Sequence, residues 1–299
     1  MKKQPLIWGC LTVFRWLIST LSQKNAVKIG TVLGSTVTYV TKRKVKEATK
    51  RCSDVLSIPM DEAEEIVKKS YRHFGGAAAE FARMPKIAEE IKKYVKIVGE
   101  ENLQKAYVKN KGIIFATAHI GNWEYAACLV AQKGYKMSAL GAEQRDDRLT
   151  DLIAELRTKS GIKALGKKSD LKTVIKALKN GEIIGIPVDQ DAKKAGVLSL
   201  FLGKPASTPV GIAKLAQKTG CAIIPAFCIK NKDNLTYTLT LLPELKGRDG
   251  KEYGEDIQTS LDDCNDVISE WIRKTPEQWM WMYPRWESFD RGEFDETGN

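Results

Sequence analysis

Apolar residues along this chain fall into two rhythms, short continuous runs and stretches spaced three and four apart, as expected of strands alternating with helices. The spacing predicts a helix over 61–83, with Asp61, Glu62, Glu64 and Glu65 in its first turn, apolar positions at 63, 66, 67, 71 and 74, and an end near Pro85. Residues 113–118 read as a buried strand, 123–132 as a helix and 137–140 as a strand. Leu149, Leu152, Ile153 and Leu156 mark one helix stripe; Leu171, Val174, Ile175 and Leu178 mark another, behind the capping candidates Ser169 and Asp170. A buried strand over 182–188, a helix start at Thr208-Pro209, strands over 222–229 and 235–242, and a last helix over 258–274 follow, the second of those strands alternating as antiparallel strands do. The predicted fold class is α/β, a central mixed β-sheet flanked by helices. No repeat, linker or low-complexity block divides residues 51–299, which are expected to form one domain behind an N-terminal segment, 1–50.

That segment has its own pattern. Residues 5–21 (PLIWGCLTVFRWLISTL) are apolar and aromatic, with Arg15 as the sole charge. As a helix they reach about 25 Å, short of a hydrocarbon core of roughly 30 Å. A central Arg costs a further 2.5–3.5 kcal/mol or so on insertion scales. A short tilted span and a helix lying in the interface both fit; a cleaved signal peptide fits less well, because no A-x-A-like site follows Leu21. A buried core helix is the alternative.

Charge sharpens this picture. The formal net charge is +11, yet residues 1–51 hold eleven Lys and Arg against Glu47 alone, leaving 37 basic and 36 acidic groups in the remainder. A body-wide nucleic-acid surface is therefore excluded. Lys42, Arg43, Lys44 and Lys46 form a basic collar suited to anionic membrane headgroups, although a solvated charge run has the same composition. The six cysteines include no C-x-x-C pair and only two histidines accompany them, so no metal site and no cofactor is expected. Cys128, Cys221 and Cys228 lie in apolar runs, as free buried thiols do.

Candidate chemistry concentrates in residues 112–125, GIIFATAHIGNWEY, where a strand runs into His119, a Gly121-Asn122 turn and a helix opening at Trp123-Glu124. Loops at the carboxyl ends of strands in open α/β sheets are where side chains are aimed outward. A neutral imidazole near pH 7 can take the proton of a hydroxyl attacking a thioester. Glu124, five residues on, is expected to accept from its second ring nitrogen and fix the tautomer. Alone, a His and an acid five apart is a weak pattern. No G-x-S-x-G elbow offers a covalent nucleophile, which favours direct transfer over ester hydrolysis.

Further motifs accompany it: Gln144-Arg145 before a Leu-rich helix and Arg157, P-V-D-Q-D at 187–191, F-L-G-K-P-A-S-T-P at 201–209, and Pro276-Glu277-Gln278-Trp279 with Trp281 and Arg285-Trp286. With A-H-I-G-N-W-E at 118–124 these resemble, over about residues 5–290, the late acyltransferases of lipid A biosynthesis, which add lauroyl or myristoyl chains. The resemblance implies a glycerolipid-acyltransferase-like fold and an enzyme on the cytoplasmic face of the inner membrane. It implies His119 and Glu124 as the H-x-x-x-x-[DE] pair, acyl carrier protein as donor, and a phosphorylated disaccharide lipid, the lipid A precursor, as acceptor. Wider phosphoglycolipid acyltransferases share the pair. This chain departs from the family at Leu202, where a second aromatic is common, and at Tyr283, where a basic residue is common.

Arg145 is a candidate to hold a phosphate or the developing oxyanion, a surface helix-capping Arg being the alternative. Asp189, at a strand end, is read as a binding residue that orients Gln190 or an acceptor hydroxyl, a structural carboxylate fitting equally. Asn122 completes the substrate-binding set. The Trp279, Trp281 and Trp286 cluster is read as packing, in the core or at a membrane interface, and His73, without an acid at a useful spacing, as structural. A non-enzymatic basic protein bound to membrane lipids is the competing class; it leaves His119 and Glu124 unexplained.

Overall fold

The computed structural model describes residues 5–140, 144, 146–165 and 171–294, omitting the side chains of residues 5–7. Four helices come first: α1 (Pro5–Thr20), α2 (Gln23–Val40), α3 (Lys42–Leu56) and α4 (Met60–Ile87). The α/β body follows as β1 (Val95–Val98), α5 (Glu100–Tyr107), β2 (Ile113–Thr117), α6 (Trp123–Gln132), β3 (Met137–Leu140), α7 (Asp147–Lys159), β4 (Lys163–Leu165), α8 (Leu171–Lys179) and β5 (Ile183–Pro187). A hairpin of β6 (Val197–Phe201) and β7 (Lys204–Thr208) precedes α9 (Gly211–Thr219), β8 (Ala222–Lys230), β9 (Tyr237–Leu241), α10 (Ile257–Lys274) and α11 (Glu287–Asp290).

Seven strands form one mixed sheet in the order β1-β9-β8-β2-β5-β3-β4. β8 and β9 pair antiparallel, as the alternation in 235–242 predicted, and the other neighbours run parallel. The central strand β2 is buried throughout, which explains its unbroken apolar run. Its residues alternate between two cores, Ile114 and Ala116 on one face and Ile113 and Phe115 on the other.

The helix predicted to stop near Pro85 continues to Ile87. Proline there lacks the N–H that would bond back one turn, but Met84 and Ile87 are buried on either side, and their packing carries the helix past that loss. α2 crosses α4 at Gly30, Gly34 and Gly75, where a Cβ on Gly30 or Gly75 would land on the other's backbone. Only glycine permits this approach.

The N-terminal helices are tied to the body. Arg83 donates to the Ile18 carbonyl (2.6 Å) and to Gln23 Oε1 (3.1 Å), and Gln23 donates to the Tyr125 hydroxyl (2.8 Å). Arg15 lies 3.5 Å from Glu155 of α7. No helix among the described residues is long and apolar enough to cross a membrane. α1 exposes Val13, Trp16 and Leu17. Position 50 falls within the continuous helix α3.

Candidate active site

Thr117 at the end of β2 pairs in register with Pro187 at the end of β5. His119 and Asp189, each two residues beyond that pair, therefore leave the sheet side by side. Asp189 Oδ1 accepts from His119 Nδ1 at 2.8 Å, and Oδ2 accepts both the His119 backbone N–H and Trp279 Nε1, each at 2.8 Å. The carboxylate is buried, with all three donors fixed around it.

This corrects the expected partnership. Glu124 makes no hydrogen bond to the imidazole; it sits in the first turn of α6 and is clamped by Arg157 of α7, Nη2 to Oε1 at 2.6 Å and Nε to Oε2 at 3.0 Å. Trp123 Nε1 also donates to Glu124 (3.2 Å), and Arg157 Nη1 donates to the Leu140 carbonyl (3.0 Å). With Asp189 on Nδ1, that nitrogen is closed to Glu124. The Glu124 charge still acts on the ring through space. Burial lowers the pKa of His119, but the charge of Asp189, its hydrogen bond and the Glu124 charge outweigh it, so the net direction is up. For Asp189, burial raises the pKa, and the attraction and hydrogen bonds of His119 and Trp279 outweigh it, so the acid stays ionised.

The loop carrying His119 is pinned on several sides. Gly121 adopts φ +60°, and a Cβ there would strike the Cys228 carbonyl. Its N–H donates to the Gln278 carbonyl (3.0 Å), Asn122 N–H donates to the Cys228 carbonyl (2.8 Å), and Met280 N–H donates to the His119 carbonyl (3.0 Å). His73 Nε2 donates to the Gly121 carbonyl (2.9 Å), and burial pushes its pKa down to about 4, keeping it neutral, in the structural role expected of it. Trp279, Trp281 and Trp286 are core residues, packing edge-on or tilted against one another and Phe201.

A cavity of about 670 Å³ opens beside His119. Glu124, Arg157 and Gln190 line it with His119, and the sheet contributes Phe115, Ala139 and Gly185. The last three are register neighbours across β2, β5 and β3, so they present one apolar floor. Gly185 leaves that floor open, since a Cβ there would meet only the end of Met137. Asn122 also lines the cavity, with its amide engaged at both ends: Oδ1 accepts from Tyr125 N–H (3.0 Å) and Nδ2 donates to buried Glu80 (3.0 Å). Arg145 lies outside the described residues. Lys42, Arg43, Lys44 and Lys46 are exposed on the first turns of α3, away from the cavity lining, with Arg43 3.2 Å from Glu47.

Sequence reasoning placed His119 but missed three partners: Asp189 as its hydrogen-bond acceptor, Trp279 as the second hold on Asp189, and Arg157 as the clamp on Glu124. The signal for the first was available, since His119 and Asp189 each follow an apolar strand. Trp279 and Arg157 reach the site from distant segments, and no spacing announces them.

An imidazole whose Nδ1–H is held by a carboxylate leaves Nε2 as an acceptor, here beside a cavity with an apolar floor. Comparison with known proteins shows the class of the chain. Residues 3–288 match the family model described as bacterial lipid A biosynthesis acyltransferase, and the chain belongs to that family and is an acyltransferase. It is 25% identical to the lipid A biosynthesis lauroyltransferase of Escherichia coli, over 93% of this chain and 90% of the relative. It is 24% identical to the palmitoleoyltransferase of the same bacterium, over 96% and 93%. To the phosphatidylinositol mannoside acyltransferase of Mycobacterium tuberculosis it is 23% identical, over 81% and 77%.

Proposed function

We propose that this acyltransferase moves a fatty-acyl chain from the thioester of acyl carrier protein to a hydroxyl of a lipid A precursor or a related phosphoglycolipid, with His119 as general base. The observation that carries the reading is the His119–Asp189 pair at the mouth of an apolar cavity. Nε2 takes the proton of the acceptor hydroxyl as its oxygen bonds to the thioester carbonyl carbon. The imidazolium is stabilised by Asp189 and by the Glu124 charge. The C–S bond then breaks, and the imidazolium returns the proton to the departing sulfur, giving an ester and a free thiol without a covalent enzyme intermediate. The cavity takes the acyl chain, at roughly 0.8 kcal/mol per buried methylene.

Membrane attachment at the cytoplasmic face of the inner membrane is part of the reading, supported by the exposed Val13, Trp16 and Leu17 of α1 and by the basic collar. A lipid A precursor and a mannosylated phospholipid are both reasonable acceptors, given the names of the relatives. The test is incubation of the purified chain with acyl carrier protein thioesters and a panel of phosphoglycolipids, read by mass spectrometry. Gain of one acyl group, lost in His119→Ala, is expected. Transfer that survives His119→Ala overturns the mechanism, and absence of transfer to every acceptor overturns the substrate class.

A further inference from the structure

Lys24, Lys28, Lys69, Arg72 and Lys232 stand around a second cavity, of about 830 Å³, where α2, α4 and the turn between β8 and β9 meet. None of these five charged groups has an ion-pair or hydrogen-bond partner among the described residues. Exposed lysines elsewhere, such as Lys93, Lys109 and Lys163, do pair with acids. A sixth cation on the wall, Lys230, is buried 3.3 Å from Glu80. The acids present do not balance the set. Asp233 is committed to its own turn, accepting from Leu235 N–H (2.9 Å), Thr236 N–H (2.9 Å) and Thr236 Oγ1 (2.6 Å), which leaves Glu277. Like charges gathered in a concavity focus their field and attract anions.

The rim says which anion. Val32 lines the cavity and also belongs to a stripe of exposed apolar residues on α2: Ile29, Val32, Leu33, Val37 and Val40. Their spacing puts them along one face of the helix, adjoining the face that carries Gly30 and Gly34 against α4. A soluble anion would meet the cations and leave the stripe in water. A lipid with an anionic head satisfies both. The cavity also backs onto the catalytic loop, because His73 and Gln278 of its wall both hydrogen-bond Gly121.

We propose that this cavity binds the phosphate of an anionic lipid headgroup while the apolar stripe of α2 lies against the same lipid layer. The bilayer is thereby gripped beside the catalytic loop, at a site separate from the collar on α3. The assignment needs no acyl donor and stands or falls independently of the transfer reaction.

The experiment is flotation of the full chain with phosphatidylcholine vesicles, with and without phosphatidylglycerol, comparing wild type with a Lys24→Gln, Lys28→Gln, Lys69→Gln, Arg72→Gln variant. Each charge near an anionic surface contributes about 1 kcal/mol, or roughly fivefold, so the variant should lose more than about 100-fold of its preference for the anionic vesicles. Lys28→Glu, a single exposed change, should move the same way and guards against a folding artefact. The comparator removes four charges from the collar instead, at Lys42, Arg43, Lys44 and Lys46, and should lose less. An equal loss there reveals diffuse attraction and overturns the site, as does wild-type-like binding by the cavity variant. Wild type that binds inorganic phosphate through these residues, measured by calorimetry, yet shows no preference for phosphatidylglycerol vesicles assigns the cavity to a soluble anion and also overturns the proposal.

Discussion

Replacing Asp189 with Asn keeps the shape of the side chain and changes one thing, since an amide offers one accepting oxygen and one donating nitrogen. In the native site Oδ2 receives two N–H donors, from the His119 backbone and Trp279, and Oδ1 receives one, from His119 Nδ1. The amide oxygen will therefore settle at the Oδ2 position. Turned the other way, its NH2 would confront two N–H groups and forfeit two buried hydrogen bonds, at roughly 1–3 kcal/mol each. In the favoured orientation the amide N–H points at His119 Nδ1, which must then accept, and the imidazole proton moves to Nε2. The base is thereby held in the tautomer that cannot take a proton from the acceptor. Together with loss of the charge that stabilises the imidazolium, turnover should fall roughly 10³–10⁴-fold, the scale of the same change in a serine-protease triad. The pH profile gives a second reading. In the native protein the His119 pKa is raised above its ordinary value of 6.5, so activity declines as pH falls through a point above 6.5. Without the Asp189 charge, burial prevails and lowers that pKa, so the acid limb of whatever rate survives should move to lower pH. The assay is thiol release from an acyl thioester in the presence of acceptor, followed from pH 5 to 9, with a melting curve to confirm folding. A variant within threefold of wild type, or one whose acid limb stays in place, refutes the assignment of Asp189 as the partner that positions His119.

Glu124→Gln should lower the pKa of His119 modestly and weaken the Arg157 clamp, reducing turnover less than Asp189→Asn does; a larger loss in the same thiol-release assay would return Glu124 to the position first expected of it. Gly185→Leu fills the cavity floor and should shift donor preference toward shorter chains, at about 0.8 kcal/mol per excluded methylene, measured as the ratio of kcat/KM across a thioester series; an unchanged ratio would place the chain elsewhere. Gly75→Ala forces a methyl onto the backbone of α2 and should destabilise the protein by at least roughly 1–3 kcal/mol, seen as a lowered Tm, whereas a neutral result would deny the close crossing of α2 and α4. Changing Val13, Trp16 and Leu17 together to Ser should release much of the chain from membranes while leaving its Tm near wild type, because these side chains are exposed; full retention in the membrane fraction would move the anchor away from α1.

The fold was legible where local pattern and tertiary environment agree. The strand–loop–helix unit around His119 could be read because β2 is buried on both faces and α6 carries its own Asn122 cap, so nearby residues alone determine it. Pro85 misled because a helix boundary depends on what packs around it, and buried Met84 and Ile87 outweigh one missing hydrogen bond. The partner of His119 misled for a related reason. Glu124 is close along the chain, but hydrogen bonds are settled by direction, and the first turn of α6 points its carboxylate at Arg157. Asp189, distant in sequence, arrives because parallel strands in register deliver their ends together. Reading strand ends as pairs, instead of acids by spacing, would have found it.

The stretch from Gln278 to Met280 clasps the loop that carries His119, and its Trp279 holds the carboxylate that holds the histidine. A ribosome makes His119 and Asp189 long before it reaches that stretch. An unfinished chain thus carries His119 and Asp189 in sequence without the contacts from residues 278–280 that fasten them. The proposed transfer reaction would in this way wait until the segment around Trp279 has been made and has closed on the loop.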